Sequence, residues 1–202
     1  MAPPVAFASG PIDVSRARPA GVAVPISLSP EPTLHLVLRS SHLVDHAGEI
    51  AFPGGKPDAA DASLRATAGR ELFEEVGVSQ DEIEWLGELS PCPVITGRFV
   101  IHPFVALLAD GVVPRVASGE IAEVLSLPIA PYVAGEEPVR AIEVPWQDLL
   151  VLAPHFPIGG RTLYGATAYI TYELLIRLAA ALGRELAPPL IESAAPWGKR
   201  YG

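Results

Sequence analysis

The strongest constraint on this chain is a nine-residue run, Arg70-Glu71-Leu72-Phe73-Glu74-Glu75-Val76-Gly77-Val78, in which three carboxylates and an apolar stripe obey one periodicity. Glu71, Glu74 and Glu75 stand at i, i+3 and i+4, so a helix gathers them on one face within a turn. Ala68, Leu72 and Val76 recur every four residues and supply the buried stripe of the same helix. The spacing predicts a start near Asp61, whose carboxylate can cap free backbone N–H groups. Gly77 ends the helix, because glycine tolerates the left-handed conformation that follows a last turn. Gly69, inside it, costs about 1 kcal/mol relative to alanine, which tertiary packing must offset.

Three adjacent carboxylates repel one another unless cations neutralise them. Mg²⁺ or Mn²⁺ suits such a cluster, since both prefer hard oxygen ligands and bind phosphates at the same time. Arg70 lies four residues before Glu74, where a salt bridge can orient that carboxylate. The Phe52-Pro53-Gly54-Gly55 loop precedes the helix, and its glycines let backbone approach a metal or phosphate closely. Taken alone, Glu71, Glu74 and Glu75 read more readily as a solvated helix face than as a metal site.

Around this segment the chain reads as one mixed domain. Residues 1–20, with four prolines and no apolar run, are expected to form a flexible or loosely packed arm, and they lack the features of a secretory signal. Gly21–Leu28 and Leu34–Leu38 are β-like runs joined by Ser29-Pro30-Glu31-Pro32, a hairpin connection. Ile50-Ala51-Phe52 is a brief strand. Ile83–Leu89 and Phe99–Leu108 read as strands, Glu120–Leu127 as a short helix stopped by Pro128, and 139–144 and 149–152 as extended pieces. A last helix is expected over 166–182 with Ile170, Leu174, Leu175, Leu178 and Leu182 on one face. Strands and helices alternate irregularly, which predicts an α/β (mixed α+β) fold with a sheet between helices, over 21–186, followed by a tail, 187–202.

With 202 residues, half of them hydrophobic, the chain can bury a sizeable core. A net charge of −9 without a basic cluster argues against nucleic acid as partner. No apolar stretch is long enough to span a bilayer. The single cysteine, Cys92, excludes an internal disulfide and fits a reducing cytoplasm. The apolar face of the last helix can pack against the domain or a second subunit, which leaves a homodimer open.

The full segment resembles the signature of the Nudix hydrolases: Gly, five residues, Glu, seven residues, then Arg-Glu-apolar-any-Glu-Glu-any-Gly-apolar. Arg70–Val78 matches the second half at every specified position. The first half departs from it. Counted from Gly55, the acidic position is Asp61, and eight residues separate it from Arg70. The resemblance implies an α/β/α sandwich with a mixed central sheet and hydrolysis of a phosphate–phosphate bond. It also implies Mg²⁺ or Mn²⁺ held by Glu71, Glu74 and Glu75 with a backbone carbonyl near Gly55, and no covalent intermediate. A further acidic residue from a later loop or helix serves as base or extra ligand in this family. Glu120 is the candidate here, and an N-terminal helix residue favoured by the dipole is the competing reading. Arg70, Glu74, Glu75 and Glu120 are thus the expected catalytic residues.

A second resemblance reaches from residue 34 to 182. Arg39-Ser40, Gly48 and Phe52-Pro53-Gly54-Gly55 are similar, in type and spacing, to the motif that precedes the catalytic box in coenzyme A pyrophosphatases. Thr96-Gly97, His102-Pro103, Glu120–Val124 and Tyr164–Ala168 also look like that branch. It implies a small-molecule substrate, coenzyme A or a derivative, cleaved to 3′,5′-ADP and 4′-phosphopantetheine. Arg39, Gly54 and Gly55 are the expected substrate contacts. Val44 replaces the motif's second arginine, and valine cannot recognise a phosphate as arginine does. ADP-ribose or another nucleotide, or a Nudix module that binds without catalysis, are the alternatives. His42 and His46 read as loop-stabilising rather than zinc-binding, Cys92 as packed, and Trp146 and Trp197 as packing residues rather than base-stacking ones.

Overall fold

Six successive buried positions, residues 21–26, mark a strand covered on both faces, and that strand is the axis of the fold. The computed structural model describes residues 13–146 and 149–197. β1 (Arg18–Ser27) runs through the middle of an eight-stranded sheet with β2 (Thr33–Arg39) on one side and β7 (Phe99–Leu108) on the other. The hairpin expected at 29–32 is present, with Ile26 opposite Leu34. β1 and β7 pair in parallel, Arg18 beside Phe99, so the strand begins three residues earlier than the sequence indicated. That parallel pair beside antiparallel neighbours makes the sheet mixed. β3 (Ile50–Ala51) pairs with β2, β4 (Gly54–Gly55) with β1, and β5 (Ile83–Glu88) and β6 (Cys92–Pro93) with β7. Residues 1–12 of the expected arm lie outside the described residues.

The segment 120–127 is a correction. It forms β8 (Ile121–Pro128), antiparallel to β2, and not a helix. Ile121 and Leu125 are four apart, as a helix requires, but Leu127 is buried as well while Ala122, Glu123 and Ser126 are exposed. A period near two wins because β2 offers a free edge whose N–H and C=O groups need partners.

α1 (Leu64–Val76) lies on this sheet. Ala68, Leu72 and Val76 enter a core with Ala23, Val37, Val78, Leu108 and Ile121. Its cap is also a correction. Ser63, not Asp61, is the N-cap, its hydroxyl accepting from the Ala66 N–H at 3.1 Å. Gly77 closes the helix at φ 71°, its N–H donating to the Phe73 carbonyl. Gly69 sits where the Gln80 side chain crosses the helix, its amide nitrogen 2.9 Å from the place a Cβ would occupy, so a larger residue there would have to shift that flexible side chain.

The chain divides into two compact units at about residue 130, next to a short helix α2 (Ala130–Ala134). In the second unit β9 (Arg140–Trp146), β10 (Leu149–Ile158), β11 (Arg161–Leu163) and β12 (Leu190–Glu192) form a four-stranded sheet in the order β11-β10-β9-β12. α3 (Gly165–Ala181) packs on β10. Ile170, Leu174 and Leu175 are buried as expected, whereas Leu182 lies past the helix end and is 65% exposed. Residues of the tail are thus part of a sheet, and Trp197 stacks on Tyr164 with ring centroids 5.0 Å apart. The side chain of Trp146 lies outside what is described. Among the described residues no helix is long and apolar enough to cross a membrane.

Candidate active site

Three elements of the first unit meet at the carboxylates: α1, the short β4, and the end of β2. Pairing of Gly55 with Gly21 and of Gly54 with Val22 lays β4 along β1, and α1 packs on both strands. The Glu71 carboxylate abuts Gly55 so closely that a Cβ there would collide with its Oε1. Any side chain at 55 would displace the carboxylate. Glu75 accepts from the Gly54 N–H at 3.3 Å and is 5% exposed. Glu74, one turn along, has a side chain 53% exposed. The acidic face therefore points at the Gly-Gly backbone at one edge and at solvent at the other.

Arg70 organises this face. Its Nη1 donates to Glu71 Oε1 at 3.0 Å and to Glu74 Oε2 at 2.9 Å, so one nitrogen holds both carboxylates. Its Nη2 reaches the Lys56 carbonyl at 3.2 Å and Asp61 Oδ2 at 3.1 Å, and Nε reaches Asp61 Oδ1 at 3.2 Å. Asp61 thus has a task other than capping, one that its place before the helix did not reveal. It fastens the arginine, and the hydrogen bond from Arg70 is the first cause of its carboxyl being held down at about 2. The additional residue between Asp61 and Arg70 is taken up before α1 begins, because the helix starts only at Leu64.

Arg39, the last residue of β2, lies on the other side of Glu75. Its Nη1 is 3.6 Å from Glu75 Oε1 and its Nη2 3.5 Å from Glu120 Oε2. The register of β2 against β8 shifts between Leu38 and Arg39, and a bulge of this kind re-aims the side chain beside it. The Ser40 N–H and hydroxyl bind the carbonyls of Glu120 and Gly119, at 2.8 and 2.9 Å, which fixes the Glu120 backbone next to Arg39. Glu120 precedes β8 and is 59% exposed at its side chain. It does not stand in the first turn of a helix, so the competing reading of a dipole-favoured helix start does not hold.

Burial raises the Glu75 carboxyl to about 7, with the nearby Glu71 charge adding to the rise and Arg39 opposing it. Burial also raises Glu71, again against the pull of Arg70. Among the described residues no three acidic, imidazole or thiol groups converge into a closed cation cage. Two arginines instead draw the carboxylates toward themselves. The donor set itself, glutamate oxygens against the Gly54-Gly55 backbone, offers only hard oxygen among its side chains and fits Mg²⁺ or Mn²⁺ rather than a thiophilic ion.

Other residues singled out in the sequence lie elsewhere. His46 Nδ1 is 2.8 Å from Glu49 Oε2 in the loop after β2, and Cys92 is buried in β6. Val44 is 99% exposed in that same loop. Sequence reasoning missed the Arg70–Asp61 pair and the Arg39 bridge from Glu75 to Glu120. Nothing local marks either one, since each depends on how a loop returns.

The family model described as NUDIX domain matches residues 17–146. An uncharacterized Nudix hydrolase NudL from Yersinia enterocolitica is 39% identical over 130 residues, 64% of this chain and 63% of that protein. The chain therefore spans under two thirds of the length of that curated relative. Among solved structures, a MutT/nudix family protein from Enterococcus faecalis superposes with a TM-score of 0.53 at 22% identity, covering 81% of this chain and 62% of that one. RenU, a Nudix hydrolase from M. smegmatis, gives 0.51 at 15% identity over 88% of this chain and 90% of its own. Both show the fold. With the family model matching well over half its residues, the chain belongs to the NUDIX family.

Proposed function

We propose that this chain is a metal-dependent pyrophosphohydrolase acting on a nucleoside diphosphate-linked compound. Coenzyme A or a derivative is the first substrate class, with 3′,5′-ADP and 4′-phosphopantetheine as products. One observation carries the reading: the Glu71 and Glu75 carboxylates are pressed onto the Gly54-Gly55 backbone, with Glu74 on the open side. Desolvating acidic groups this way is unfavourable without a cation to neutralise them.

Glu71, Glu74, Glu75 and the Gly55 carbonyl are the groups that would hold Mg²⁺ or Mn²⁺. When bound, such an ion supplies charge neutralisation of a diphosphate and acidifies a water at neutral pH. Arg70 keeps Glu71 and Glu74 on one side of the helix through a shared nitrogen, itself anchored by Asp61. Glu120, exposed and only loosely paired with Arg39, is free to take a proton from an attacking water. Arg39 is the cation nearest Glu75 and can turn to a substrate phosphate oxygen. Positioning and charge suffice for phosphoryl transfer, so no protein nucleophile is required.

A panel of coenzyme A, ADP-ribose, a dinucleotide and a nucleoside triphosphate, incubated with Mg²⁺ or Mn²⁺ and read by product mass, tests the substrate. Turnover of ADP-ribose with coenzyme A untouched would remove coenzyme A from the proposal. Glu74→Gln and Glu75→Gln should each lower turnover by roughly 100-fold or more while the protein stays folded. Undiminished turnover in both would move the site elsewhere.

A further inference from the structure

The loop that carries Gly55 continues into Lys56, and the side chain of Lys56 leaves the carboxylates for an aromatic ring. Its Nζ lies 5.5 Å from the centroid of Phe99, and the Arg18 guanidinium lies 4.9 Å from the same centroid. The three residues come from separate segments and are brought together by strand pairing. Arg18 stands beside Phe99 across β1 and β7, and Gly21, three residues on, stands beside Gly55. The Arg18 N–H also donates to the Arg98 carbonyl at 3.0 Å, which puts another basic residue at the same strand ends.

Both side chains are exposed, and among the described residues neither has a carboxylate partner, although the protein carries a net charge of −9. Arg70 and Arg39, the other cations near the site, are engaged by Asp61, Glu71, Glu74, Glu75 and Glu120. Two cations lie within 5.5 Å of one ring centroid, and an anion at the rim of that ring is attracted by both. A phosphate monoester suits both, because a guanidinium and an ammonium can each donate to separate oxygens. Three residues of strand separate Arg18 from the level of Gly55, roughly 10 Å, which is within the span of one nucleoside.

We infer that Arg18, Lys56 and Phe99 form a subsite, at the rim of the carboxylate cluster, for a phosphate monoester on the nucleoside part of the substrate. The inference rests on the pyrophosphohydrolase reading for its neighbouring site but makes its own claim about binding. The backbone of Lys56 is tied to Arg70, so the subsite and the acidic face keep a fixed distance. A nucleotide with an additional phosphate is then selected over the same nucleotide without it.

The test is calorimetric titration of the full chain with adenosine 3′,5′-bisphosphate, with AMP and with inorganic phosphate, in the absence of turnover. The bisphosphate should bind at least about tenfold more tightly than AMP, and the double variant Lys56→Met, Arg18→Met should lose that preference. Inorganic phosphate should bind far more weakly than the bisphosphate. Both substitutions are at exposed positions, and an unchanged melting temperature checks the fold. Equal affinities for the two nucleotides in the unaltered protein would overturn the subsite, as would a preference that survives the double variant. Inorganic phosphate matching the bisphosphate would do the same. A preference that is present and lost as expected, together with no turnover of any diphosphate, would uphold the subsite and refute the enzymatic reading.

Discussion

Arg39 reaches its two carboxylates at 3.6 and 3.5 Å, longer than a well-made charge-assisted hydrogen bond, and its Nε is buried without an acceptor. A guanidinium held this loosely between Glu75 and Glu120 is a counterion that a stronger one can displace. A divalent cation and Arg39 are therefore competitors for the same oxygens, and a nearby positive charge weakens cation binding by Coulomb repulsion. Replacing Arg39 with methionine should tighten Mn²⁺ binding severalfold, measured calorimetrically at pH 8.5 so that Glu75 is ionised in both proteins. Substrate affinity should fall in the same variant, because the phosphate loses its best-placed donor. Weaker Mn²⁺ binding would mean that Arg39 supports the carboxylates rather than competing for them. The sequence placed Arg39 near a phosphate through a motif, but its bridge to Glu120 needs the β2–β8 pairing, which brings together residues 81 apart.

At the level of elements, α1 was legible because two signals agree: the buried stripe and the carboxylate face both repeat at helical spacing, and Gly77 ends both. The start was misread for a physical reason. Any aspartate ahead of a helix looks like a cap, and only the path of the loop decides whether its carboxylate turns to the backbone or to Arg70. Asp61 turns to Arg70 and to the Asp58 N–H of its own loop, away from the helix backbone, and Ser63 caps. Ser63→Ala should accordingly cost about 1 kcal/mol in urea unfolding. A loss within error of zero would return the capping role to Asp61. β8 was misread because Ile121 and Leu125 satisfy both periods, and the decision came from an edge of β2 some eighty residues away in the chain. Local pattern carries no information about such an edge.

For the whole molecule, the division at about residue 130 leaves no mark in composition, whereas the cost of burying the acidic face should appear in its stability. Glu75 titrates near 7 in the folded protein, chiefly because it is buried, against an ordinary value of 4.5. The folded form therefore binds more protons than the unfolded form between those values. Stability conferred by the protonated carboxyl is fully present below 4.5 and is lost as pH rises through 7. The loss is on the order of 3 kcal/mol, at about 1.4 kcal/mol for each pH unit between those values. His35, lowered by burial, slopes the other way, but only below its ordinary 6.5. Metal-free protein should thus unfold at lower urea concentration at pH 7.5 than at pH 6.5, and Glu75→Gln should abolish that difference while keeping the His35 contribution at lower pH. Excess Mg²⁺ should restore more stability at pH 7.5 than at pH 5.5, because a cation that binds only the folded, ionised face adds stability where the carboxylates are charged. If the wild type and Glu75→Gln share one pH profile without metal, the buried carboxylate carries no such penalty, and the electrostatic ground for a cation at this face is lost with it.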